Sequence, residues 1–140
     1  MIEVKHEPYP NPEHQNTILE AILSNLTPGQ DYHLISLDPE MLELIECVPN
    51  HAKMPVAELN VEKLSEIALE KNYAGVLGHY FLLNGRLVQK HLEAGQKVGT
   101  GYPDSRNCMS RELNRGVNWL FSNDAGGLEQ IRKAMLAEDG

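Results

Sequence analysis

Apolar residues recur at helical spacing in several separate stretches of the chain. From Pro12 to Leu26, Ile18, Leu19, Ile22, Leu23 and Leu26 fall on one face, and Asn11 before Pro12 has the cap-then-proline order of a helix start. Asp38-Pro39-Glu40 repeats that signal and opens a short helix to about Glu46. Asn60 precedes a clearer helix, Val61 to Lys71, with a core stripe of Val61, Leu64, Ile67 and Ala68. A long helix is expected over 106–121, with Met109, Leu113, Val117, Leu120 and Phe121 on one face. A last one is expected over 128–137, packing through Leu128, Ile131 and Met135.

Extended segments are fewer. Ile2 to His6 reads as a short extended start, set off from the first helix by the proline-rich stretch Pro8 to Pro12. Tyr32 to Leu37 reads as a buried strand. Tyr73 to Leu83 and Arg86 to Leu92 flank Asn84-Gly85, a dipeptide whose tolerance of positive φ predicts a two-residue hairpin. A competing pattern puts Leu87, Val88, His91 and Leu92 on one helix face, with Gly95 as its C-cap. Val48 to Glu58, punctuated by Pro49, Asn50 and Pro55, reads as loop, and so does the glycine-rich run from Gly95 to Pro103. In that order strands and helices do not alternate, so a doubly wound parallel sheet is not expected. The expectation is a single α+β domain over residues 1–140, with about three or four strands and four or five packed helices.

Composition narrows the class. The 140 residues are 41% hydrophobic and 23% charged, ordinary values for one globular domain. The net charge of −8 disfavours nucleic acid as a partner, since phosphate contacts need a cationic surface. The start lacks the basic-then-apolar run of a secretory signal. The longest strongly apolar stretch, Val76 to Leu83, is far shorter than the roughly 20 residues that span a bilayer. A cytoplasmic protein that avoids membranes is expected, with Cys47 and Cys108 as free thiols.

Charge is unevenly placed. Residues 38–70 carry eight acids against two lysines, including Glu62, Glu66 and Glu70 at helical repeats, whereas residues 86–115 carry six bases against three acids. Arg111 and Arg115 fall opposite the apolar face of the long helix and are expected in solvent. Arg106, Arg111 and Arg115, with Gly99 and Gly101 of the glycine-rich run, could grip a phosphate or carboxylate through guanidinium forks and backbone N–H groups.

Short motifs add little. Cys47, His51 and Met54 resemble in spacing the ligand loop of blue-copper cupredoxins, but they follow a helical segment instead of joining two strands. Arg86 and His91 match the loose arginine–histidine spacing of HEPN nucleases, though Leu87 stands where that pattern has a polar residue. The glycine run is followed by no Gly-Lys-Ser/Thr. Cys108 lies near a helix start with arginines beside it, without a definable base.

No family, metal or cofactor is therefore expected. With no catalytic constellation in view, the leading expectation is a small acidic regulator or inhibitor that docks on a protein partner through Glu62, Glu66 and Glu70. The alternative is an enzyme or sensor for a small anionic ligand held by the basic 95–115 region. Two-fold self-association is left open.

Overall fold

The computed structural model describes residues 1–5 and 11–138. Strands and helices alternate through them: β1 (Ile2–Glu3), α1 (Pro12–Leu23), β2 (Leu34–Ser36), α2 (Pro39–Leu44), β3 (Lys53–Ala57), α3 (Val61–Glu70), β4 (Gly75–His79), α4 (Gly85–Glu93), β5 (Lys97–Gly101), α5 (Arg106–Asn114), β6 (Trp119–Phe121) and α6 (Ala125–Glu138). A single 3-10 turn, Asn50–Ala52, leads into β3. The six strands form one sheet in chain order, and every neighbouring pair is parallel. The α+β expectation is therefore corrected to a parallel α/β sheet. Among the described residues no helix is long and apolar enough to cross a membrane. The expected run of the first strand to His6, with Pro8 and Pro10 of the proline-rich stretch, lies outside the described residues.

Three local misreadings produced the wrong class. Pro55 sits inside β3 as its last residue in register with β2, after which Val56 and Ala57 pair with β4. A proline at such a changeover removes one ladder donor without breaking the strand. The glycine-rich run is β5 itself. Gly99 is demanded by packing, since a Cβ there would stand 2.5 Å from Leu77 Cδ2 and 2.7 Å from Phe121 Cε2. Asn84 closes no hairpin: its side chain accepts from the Leu87 N–H at 3.1 Å and caps α4, so the competing helix pattern is the correct one. Gly95 ends α4 with φ +72.

The long helix expected over 106–121 stops at Asn114, because Gly116 turns the chain left-handed at φ +81 and frees residues 119–121 for β6. Asp124 accepts from Gly127 N–H at 2.9 Å, which starts α6 three residues earlier than expected. On α1 the expected face is only half right. Leu23 is buried, but Ile22 is 63% exposed and the buried polar residue is Gln15.

Alternate strand residues face opposite sides. Leu34, Ala57, Val76 and Val98 face the helices. They join Leu42, Ile45, Leu64, Leu87 and Val88 in two contiguous apolar clusters. The other face carries Ile35, Val56, Leu77 and Phe121. It is strongly concave: His33, just before β2, meets Trp119 at the start of β6 with ring centroids 5.1 Å apart. In a flat sheet those strands would lie about 19 Å apart at four strand spacings. The sheet is a curled half-barrel of six βα-type units with helices on its outer face, consistent with part of a (β/α)8-type barrel.

Between α3 and α4 the helix layer holds a closed polar network. Gln96 Nε2 donates to the carbonyls of Ala68 and Tyr73, which leaves Gln96 Oε1 to accept from His91 Nδ1 at 2.6 Å. His91 Nε2 then accepts from the Ser65 hydroxyl at 2.8 Å. His91 is fully buried, and burial pushes its pKa below the ordinary histidine value. The unfolded chain, titrating near 6.5, takes up the proton first. Stability carried by neutral His91 is thus present above about pH 6.5 and is lost as the pH falls from there toward the lower folded value. Urea unfolding midpoints should be flat from pH 8 to 7 and decline below about 6.5, and Ser65→Ala should cost about 1–2 kcal/mol at pH 8.

Candidate functional site

The concave face opens into a cleft of about 470 Å³ at the C-terminal ends of β2 to β6. Its floor is apolar, from Ile35, Val56, Leu77 and Phe121, and its rim carries Glu58, His79, Tyr102, Ser122 and Asn123. Each rim residue ends a strand or lies within two residues of a strand's end, so the parallel ladder itself brings together side chains from distant parts of the chain. Glu3 is in register with Ile35 and lies on the same concave side at the β1 edge.

His79 ends β4. Its Nδ1 accepts from the Phe81 N–H at 3.2 Å, which puts the ring proton on Nε2. No protein group among the described residues binds that Nε2–H. The ring stacks on Tyr80 at 4.6 Å and tilts toward Tyr102 at 5.8 Å. Tyr102 has φ +67, a left-handed conformation that costs an aromatic residue about 1–3 kcal/mol. The Tyr102 N–H bond to Phe121 O, at 2.7 Å, ties the turn to β6.

Behind His79 and Tyr80 lies a charged brace. The Arg111 guanidinium sits 5.0 Å over the Tyr80 ring and pairs with Glu112, whose carboxylate is fully buried. Arg115 also pairs with Glu112 and donates to Leu83 O at 2.6 Å, pinning α5 to the segment that follows β4. Arg115 is therefore turned inward, with a side chain 21% exposed, where the helical pattern had placed it in solvent. It was misjudged because α5 ends at Asn114 and Arg115 caps it, whereas Arg111 is exposed as expected.

The other expected site residues are scattered. Gly99 is mid-strand under Leu77 and Phe121, and Gly101 lines the cleft. Arg106 is exposed at the start of α5. Glu62, Glu66 and Glu70 lie on the solvent face of α3, with Glu62 paired to Arg86 at 2.8 Å. Cys47 and Cys108 are both half-buried thiols whose pKa burial raises. Among the described residues no three His, Cys, Asp or Glu converge to hold a metal ion. Reading the chain did not single out Glu3, Glu58, His79, Tyr102 or Asn123. Recognising β3 and β5 as strands would have pointed to Glu58 and Tyr102, because barrel sites gather at strand C-termini.

Comparison with known structures fits this geometry. The chain superposes on a phosphodiesterase from Oleispira antarctica, solved with its product sn-glycerol-3-phosphate, at a TM-score of 0.67 and 19% identity over 89% of this chain and 50% of that one. A glycerophosphodiester phosphodiesterase from Parabacteroides distasonis gives 0.69 at 15% identity, covering 99% and 57%. A candidate glycerophosphoryl diester phosphodiesterase from Silicibacter pomeroyi gives 0.74 at 15%, covering 96% and 50%. The chain shares its fold with phosphodiesterases. It spans about half the length of these structures. No family model and no curated protein matches the sequence.

These likenesses overturn the expectation of a regulator or inhibitor acting through a protein partner. The acidic stripe on which that expectation rested is the outer face of a barrel helix, where charged residues ordinarily lie. The Glu112 brace is testable. Glu112→Gln leaves Arg115 without its counter-charge and should cost about 3 kcal/mol in urea unfolding, while Arg111→Ala should cost much less because that side chain is half exposed.

Proposed function

We propose that the cleft at the strand C-termini binds a small phosphate ester, and that the chain carries part of a phosphodiester-hydrolysing site. The observation that supports this most directly is His79. Its Nε2–H is a donor left unclaimed among the described residues, on the rim of the cleft at the strand C-termini, in a fold shared with phosphodiesterases. The reading keeps the small anionic ligand foreseen from the basic stretch but moves its place. Gly101 remains at the site, while Arg111 and Arg115 support the wall behind it.

The chemistry follows from the groups present. Hydrolysis of a phosphodiester needs a water deprotonated as it attacks phosphorus and a proton for the departing alkoxide. Glu58 is the carboxylate lining the cleft; it takes the proton of the attacking water and, once protonated, returns it to the departing alkoxide, while the His79 Nε2–H donates a hydrogen bond to a phosphate oxygen. Tyr102, Ser122 and Asn123 offer hydroxyl and amide donors to the non-bridging oxygens. The apolar floor of Ile35, Leu77 and Phe121 keeps water away and strengthens those bonds.

The test is binding of sn-glycerol-3-phosphate, followed by backbone amide shifts. Saturable shifts should map to His79, Gly101, Tyr102 and Asn123, and His79→Ala should weaken binding at least tenfold with an unchanged thermal midpoint. Absence of binding, or shifts confined to another part of the fold, would sink the proposal.

A further inference from the structure

Three basic side chains meet at the end of the sheet opposite the cleft. His33 immediately precedes β2, His51 lies in the 3-10 turn before β3, and Lys97 opens β5; all three line a pocket of about 370 Å³ beside the turn from Thr27 to Gln30. The His51 ring packs against Gly29, where a Cβ would stand 3.1 Å from its Cδ2 and φ is +77, so the turn is shaped to admit that ring. None of the residues lining the pocket is acidic, in a chain whose net charge is −8. Among the described residues Lys97 makes no ion pair, and its ammonium lies 4.9 Å above the Trp119 ring. That ring also meets His33 in a T-shaped contact. The nearest carboxylate in sequence, Asp31, is engaged in its own turn and accepts from the Thr27 N–H at 2.7 Å.

Gathering uncompensated bases in one recess is unfavourable unless something negative joins them. The cost is visible at His33. Burial lowers its pKa, and Lys97, the N-terminal amine and His51 push it further the same way. We infer that this pocket binds a small dianionic oxyanion of the sulfate or phosphate type, at a site separate from the C-terminal cleft. Lys97 supplies the fixed charge, and the two imidazoles supply N–H donors. The bound dianion offsets the like-charge repulsion on His33, so binding takes up a proton and tightens as the pH falls.

The chain has one tryptophan, Trp119, and the Lys97 ammonium of the pocket lies over its ring, so its fluorescence reports occupancy at Lys97. Sulfate is the probe because its charge is constant between pH 6 and 8, which leaves the protein as the source of any pH dependence. The emission of Trp119 should change saturably with sulfate at pH 6, with weaker affinity at pH 8 and no such change with sodium chloride at equal ionic strength. The Lys97→Gln/His51→Gln variant should bind at least tenfold more weakly; if it does not fold, Lys97→Gln alone should still lose affinity. The His79→Ala variant, altered at the other end of the sheet, should respond like the parent chain. No saturable change in the parent, an unchanged affinity in the Lys97 variants, or loss of the response in His79→Ala would each overturn the assignment. Failure to hydrolyse a phosphodiester would not bear on it.

Discussion

The curl of the parallel sheet is the constraint on which everything else rests. It brings His33, just before β2, into contact with Trp119 of β6 across a face that would hold them about 19 Å apart if the sheet were flat. A curl this tight needs a concave side with room for little more than one layer of side chains. Gly99 provides that room, letting Leu77 and Phe121 close over a position where any Cβ would collide. The larger apolar clusters lie on the convex side under the helices.

Parallel pairing also gives the sheet two unlike ends. The C-terminal strand ends carry the cleft, with a carboxylate, an imidazole and neutral donors on its rim. The N-terminal ends carry a recess lined by Lys97 and two histidines. His33, Lys97 and Trp119 each precede or open a strand, while His79, Tyr102 and Asn123 end or follow one. Strand polarity therefore sorts the chain's polar residues into two chemically different sites.

Behind both sites stand fully buried polar groups that make no contact with any proposed ligand. Glu112 braces α5 through two arginines, and His91 joins α3 and α4 through Ser65 and Gln96. Each of the two is itself paired or hydrogen-bonded, which is what allows a charge or an imidazole to sit in a helix–sheet interface. The brace at Glu112 reaches the cleft wall through Arg111 and the Tyr80 ring, on which His79 stacks.

Several elements were legible from residue order alone. The caps at Asn11 and Asp38, the stripe of Val61, Leu64 and Ala68, and the strand at Leu34 all depend on local pattern, and local pattern settled them. What tertiary structure decided were the segments whose local signals point elsewhere. Pro55 and the glycines of 99 and 101 look like loop residues until neighbouring strands and close-packed side chains require them. Asn84-Gly85 suits a hairpin or a helix start equally well, and only the helix packing on β5 separates the two. With β3, β5 and β6 unseen, their ends were unseen too. The cleft had no trace in the chain order, because its residues are neighbours only through the curl of the sheet.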